Sequence, residues 1–332
     1  MKRLILSLSA VLLGLAWSIP ALAQGIEWKT LNSQIASLYR QGNYDRATAV
    51  AREALRIAEQ AGGPNHPLAA LSLNNLALLY KTQGQYTQAE PLYQRALEIK
   101  EKTLGPEHPS VALSLNNLAE LYRVQGQYTK AQSLYSRALK IKEKTLGPDH
   151  LSVATSLNNL AALYEIQGRY AQAEPLYQRA LAIREKALGS DHVSVAASLE
   201  NLASLYDHEG RYPQAEPLYQ QSLAIREKAL GLEHPNVAAS LHSLAGLYSS
   251  QGRYAQAEPL YQRSLAIREK TLGPDHPSVA ASLEAMATVC RNTGRGNEAA
   301  ALQKRAAAIR AKYDQKAWLD ILPRAAYPSG LE

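Results

Sequence analysis

The sequence predicts an all-α protein built from about seven stacked helix–turn–helix copies. Three observations carry that reading. Glycines followed two places on by Tyr stand at Gly42, Gly84, Gly126, Gly168, Gly210 and Gly252; Gly294 continues the series without its Tyr, and every interval is 42 residues. A second series, Gly63, Gly105, Gly147, Gly189, Gly231 and Gly273, keeps the same period. Residues Gln167–Gly189 and Gln251–Gly273 match at 21 of 23 positions, differing only at Ala180/Ser264 and Ala187/Thr271. Self-similarity at a fixed period of roughly 20–50 residues marks a stack of repeated units.

Composition agrees. The chain has 332 residues, 46% hydrophobic and 20% charged, which excludes wholesale disorder. It contains 19 Tyr, 3 Trp and no Phe, as a short unit copied many times with Tyr in its aromatic slots would. A single Cys excludes an internal disulfide framework and Cys-rich metal sites.

The elements follow in chain order. Lys2 and Arg3 precede a hydrophobic stretch from Leu4 to Trp17, Pro20 breaks any helix, and Ala21-Leu22-Ala23 is a small-x-small site. This order reads as a secretory signal over residues 1–23, cut between Ala23 and Gln24; an uncleaved anchor is the alternative. No Cys follows the site, which argues against a lipoprotein. Export to the periplasm or beyond is the expectation, with no membrane span after cleavage. Loss of Lys2 and Arg3, with no acid removed, takes the net charge from +7 to +5. The remaining basic residues are spaced regularly rather than clustered, so a nucleic-acid partner is not expected.

In the second copy Leu73, Leu76, Ala77 and Tyr80 fall on one helical face, and Gln83-Gly84 stops the helix. The next helix starts near Thr87, carries Ala89, Leu92, Tyr93, Ala96, Leu97 and Ile99, and ends at Gly105-Pro106. Pro91, Pro175, Pro217 and Pro259 sit early in second helices, so irregular starts are expected there. The repeats are expected to span residues 24–314, with Trp318, Leu319, Ile321 and Leu322 in a capping segment and tail over 315–332.

Leu76-Ala77-x-x-Tyr80, Gly84-x-Tyr86, Ala89-x-x-x-Tyr93 and Ala96 resemble the tetratricopeptide repeat pattern. The Leu-Gly-x-(Asp/Glu)-His-Pro link is similar to the 42-residue variant of kinesin light chains. The usual Trp is absent from every copy. The resemblance implies a right-handed superhelical solenoid with a concave groove that holds protein partners.

Chemistry is scarce. His66, His108, His150, His192, His234 and His276 recur once per copy, but equivalent residues stand at least about 8–10 Å apart, too far to share a metal. A role in closing the turn between copies is expected, with no metal and no cofactor. Cys290 falls on the buried stripe as a core thiol. No catalytic constellation is found, so an enzyme is not expected.

Asn75, Asn117, Asn159 and Asn201 recur at one slot, and Asn74, Asn116 and Asn158 precede three of them. Asn75 points roughly 150° from the packed stripe. The family resemblance implies that these amides face the groove and bond the backbone of an extended peptide; simple copying of a harmless Asn is the alternative. Lys81, Arg123, Glu165 and Asp207 run from basic to acidic and are candidates for partner specificity. Arg95, Arg137, Arg179 and Arg263, with Arg184, Arg226 and Arg268, are expected on a solvated outer face with nearby Glu. Two function classes stand: an envelope scaffold binding an extended peptide or partner domain, and a regulatory or self-associating spacer subunit of an envelope enzyme or of secretion or polysaccharide machinery.

Overall fold

The structure, a computed structural model, describes residues 25–321, with side chains as far as Lys312. The signal segment with Ala23 and Gln24, and the tail from Leu322, lie outside the described residues. All regular structure among those residues is helical.

Helix α1 covers residues 25–40. The later first helices of each copy are α3 (Pro67–Thr82), α5 (Pro109–Val124), α7 (Leu151–Ile166), α9 (Val193–His208), α11 (Pro235–Ser250) and α13 (Pro277–Asn292). The second helices are α2 (Tyr44–Gly62), α4 (Tyr86–Leu104), α6 (Tyr128–Leu146), α8 (Tyr170–Leu188), α10 (Tyr212–Leu230), α12 (Tyr254–Leu272) and α14 (Gly296–Ile321). The last helix runs through the 314/315 boundary suggested by the sequence. Two compact units divide the chain, Met1–Gln167 with α1–α7 and Gly168–Glu332 with α8–α14.

Both turns of a copy depend on glycine. The Gln85 N–H donates to the Tyr80 carbonyl (2.8 Å) and the Gly84 N–H to the Lys81 carbonyl (3.0 Å), the double closure that requires a left-handed residue, and Gly84 supplies it at φ +73. At the other turn Gly105 takes φ +88. The periodic histidines then act as helix N-caps: Nδ1 of His108 accepts the Ser110 N–H at 3.1 Å, and the other five do the same. Their inter-repeat role is thereby given a bond.

The prolines do not disturb the second helices. α4, α8, α10 and α12 each span 19 residues with Pro inside, the same length as α6, which has Ser133 in that slot. Pro91 is the sixth residue of its helix, so its missing N–H frees only the Thr87 carbonyl in an exposed first turn, within reach of water.

Packing is local. Within each unit the helices that pack are neighbours in sequence, with added contact between the first helices of adjacent copies, α3 with α5 and α11 with α13. Val111, Ala112 and Leu115 of α5 meet Ala138 and Ile141 of α6, and the same slots rebuild that core in other copies. In one aromatic slot the tyrosine hydroxyl ties copies together: Tyr122 donates to Glu90 (2.9 Å) and Tyr248 to Glu216 (3.0 Å), whereas the Tyr93 hydroxyl is buried without a partner among the described residues.

Candidate functional site

The paired asparagines lie where the first helices of adjacent copies stand side by side. Asn75 Nδ2 donates to Asn32 Oδ1 at 2.7 Å, and Asn117 Nδ2 donates to Asn74 Oδ1 at 2.8 Å. Asn75 is therefore half-buried rather than turned wholly to solvent. In the second unit Ser243 Oγ makes the same link to Glu200 Oε1 at 3.0 Å. The pair of slots is thus partly a staple between copies, a role that neither copying nor ligand binding anticipates. An amide has two N–H groups and one carbonyl, so one bond leaves Asn75 and Asn117 with a donor and an acceptor each. Asn159 and Asn201 are half-buried, and the carbonyl oxygens of Asn116 and Asn158 are buried without a partner.

In the first unit Asn116, Asn117 and Asn159 converge, whereas Asn74, Asn75 and Asn158 stay outside the pocket they share. A pocket of about 500 Å³ is lined by Asn116, Asn117, Glu120 and Arg123 of α5, Tyr135 of α6, and Asn159 and Ala162 of α7. Arg123 grips the Glu120 carboxylate through Nε (2.7 Å) and Nη2 (2.6 Å), and the Tyr135 hydroxyl donates to it at 2.8 Å. Burial alone would raise the Glu120 carboxyl, but the bonds from Arg123 and Tyr135 and the charges of Arg123 and Lys81 hold it below the usual range. The same burial and the Glu120 charge push the Tyr135 phenol up.

The specificity slot is uneven. Lys81 is half-buried, Arg123 is neutralised by Glu120, and Glu165 is half-buried with a partner of its own. Asp207 belongs to the second unit, where burial raises its carboxyl. The expected basic half therefore loses one of its two charges to an internal pair.

One expectation fails outright. Arg184, Arg226 and Arg268 are not on a solvated face: they and Lys100 and Lys142 reach a buried serine of the next first helix, Lys142 Nζ to Ser156 Oγ at 2.8 Å and Arg268 Nη1 to Ser282 Oγ at 2.7 Å. The slot falls seven residues after the buried Tyr93, on the same helical stripe. Arg226 also pairs with Glu200 at 2.5 Å, whereas Lys100 and Lys142 sit against serine, and burial lowers both ammonium groups from their ordinary range. Arg95, Arg137 and Arg263 do keep to the outer side, each bridging to a Glu of the preceding second helix, as in Arg137–Glu101 at 2.6 Å.

His242, off the histidine period, takes the slot of Asn74 and Asn116. It packs edge-on against Tyr261 at 5.1 Å, and burial, with the Arg268 charge adding, pushes its imidazole down to about 4. An unfolded His titrates near 6.5, at about the point where protonation begins to favour unfolding. The contribution of His242 to stability should therefore fall as the pH drops from about 6.5 to about 4, by on the order of 3 kcal/mol, and be constant above that window. Thermal melts of His242→Asn should show a shallower acid slope than wild type, because only the contribution of His242 is removed; an identical slope in the variant would assign it to other groups. Cys290 is buried, and burial raises its thiol, as a core residue requires. No group of three or more His, Cys, Asp or Glu among the described residues could hold a metal.

A tetratricopeptide repeat family model matches residues 29–102, 152–228, 194–270 and 236–312. The chain belongs to the tetratricopeptide repeat family. The model of the nephrocystin-3 TPR domain also matches, over residues 87–186. No curated protein matches the chain. Among solved structures of this family, nearly identical kinesin light chain TPR-like repeats from Podosopora anserina are 36% identical over 63% of this chain and 98% of theirs, with a TM-score of 0.55. BtubC (BKLC) from P. vanneervenii is 28% identical over 73% of this chain and 92% of its own, with a TM-score of 0.57. A tetratricopeptide repeat protein from Parabacteroides merdae, 19% identical over 89% of this chain and 99% of its own at a TM-score of 0.58, shares the fold. The tetratricopeptide repeats of this chain are thus of the kinesin-light-chain-like kind, a solenoid whose repeated faces serve protein–protein interaction.

Proposed function

We propose that the protein is a non-catalytic scaffold of the cell envelope that holds an extended segment of a partner protein along its asparagine-bearing first helices. The pocket shared by Asn116, Asn117 and Asn159 carries this reading, because it gathers amide groups with unused donors and acceptors on one face. A peptide backbone offers the complement at every residue, an N–H and a carbonyl. The envelope assignment rests on Lys2, Arg3, the Leu4–Trp17 stretch and Ala21-Leu22-Ala23.

N-terminal sequencing of the protein from its native cells should return Gln24, and the protein should co-purify with a partner from the envelope fraction. Recovery of Met1 would restore the membrane-anchor alternative.

A further inference from the structure

The third copy differs from its siblings in a way that repeat copying does not explain. The slot of Glu120 is Leu78, Ala162, Ser204, Gly246 and Thr288 elsewhere, so the Glu120–Arg123–Tyr135 cluster occurs in this copy alone. The cluster lines the pocket and cancels its own charge. Three side-chain amides line the same pocket. Asn116 is 8% exposed, its carbonyl oxygen has no donor, and its Nδ2 has only a 3.5 Å contact to Ser156. Asn117 keeps its carbonyl oxygen unused after donating to Asn74. Asn159 lines the pocket with its amide unbonded.

We propose that this pocket is a subsite for one carboxamide side chain, Asn or Gln, of the bound segment; the inference rests on the groove reading above. A carboxamide carries two N–H donors and an acceptor on one planar group. Its N–H groups meet the carbonyl oxygens of Asn116 and Asn117, and its oxygen accepts from Asn159. Other side chains leave a mismatch. A carboxylate brings no donor to Asn116 and sits beside Glu120. An ammonium or guanidinium finds Glu120 already held by Arg123, with Lys81 close enough to act on the same carboxylate. An apolar group dehydrates three amides without replacing their bonds. A site built from hydrogen-bonding groups rejects isosteres that cannot complete them, because the unmatched polar atoms are left buried.

The test uses the full chain and a phage-displayed library of random heptapeptides. Synthetic copies of the selected peptides are then measured by fluorescence anisotropy against wild type, Asn116→Leu and Asn159→Ala. Selected peptides are expected to share Asn or Gln at one position, and replacing that residue by Glu, Lys or Met should weaken binding about 5- to 150-fold. Asn159→Ala, whose side chain bonds no other side chain among the described residues, should weaken that preference while the melting curve holds, and it stands in for Asn116→Leu if the latter fails to fold. Peptides that need Asn159 but accept Glu, Lys or Met at every position would overturn the subsite and leave the groove standing. A library yielding no peptide whose affinity depends on Asn116 or Asn159 would overturn both.

Discussion

Arg226→Met should lower the unfolding free energy by about 3–5 kcal/mol, while Lys142→Met, in the same slot two copies earlier, should change it by no more than about 1 kcal/mol. The two side chains make the same serine contact but differ in their second partner. Arg226 is 11% exposed and pairs with Glu200, itself 18% exposed, so its removal leaves a largely buried carboxylate with Ser243 as its one remaining partner among the described residues. Lys142 is 9% exposed and, among the described residues, has only Ser156 Oγ and the Ser152 carbonyl as partners. Its loss removes a desolvated charge along with the hydrogen bonds. Adding Glu200→Leu to Arg226→Met should restore most of the loss, since replacing both ions of a buried pair is commonly neutral. Urea unfolding followed by circular dichroism reads all three variants. Equal effects of Arg226→Met and Lys142→Met would show that the pair with Glu200 contributes nothing.

Asn117→Ala with Asn159→Ala should weaken a captured partner by about 1–3 kcal/mol, or roughly 5- to 150-fold, if each amide makes one or more backbone bonds. The stability cost is confined to one residue. Asn117 loses its bond to Asn74, about 0.5–1.5 kcal/mol, and the better helix propensity of Ala returns a few tenths to about 0.7 kcal/mol at each site. Asn159 has no such bond to lose. The double variant should therefore melt within about 1 kcal/mol of wild type while binding falls. Arg137→Ala with Arg179→Ala, on second helices, is the control and should leave affinity unchanged. Unaltered affinity in the asparagine variant would move the site off this face.

The repeats made the architecture legible because identical glycines, histidines and Leu/Ala/Tyr stripes recurred in one phase. Histidine was legible as a turn residue, although the specific bond from Nδ1 to the N–H two residues on needed backbone geometry. The asparagine staple was not legible, since a single-helix projection places Asn75 away from the core. Its partner Asn32 lies 43 residues back, a separation set by how adjacent first helices stagger. The buried cations were misplaced for a different reason. Lysine and arginine suggest solvent by composition, yet Tyr93, Ala96 and Lys100 stand at i, i+3 and i+7, and that spacing already put the cation on the buried stripe. The Glu120 cluster sits at a slot where the second to seventh copies all carry different residues, Leu78, Glu120, Ala162, Ser204, Gly246 and Thr288.

Copies that rest on their immediate neighbours should be removable one at a time, because the free energy of such a stack is nearly a sum over units and interfaces. Deleting Gln127–Gly168 removes one full period of 42 residues, α6 and α7 together, and joins α5 to α8 in the phase that α5 and α6 had. Circular dichroism of this deletion should show a helical protein that melts cooperatively. An unfolded chain would contradict neighbour-only stacking, and with it the placing of partner contacts on a surface assembled copy by copy.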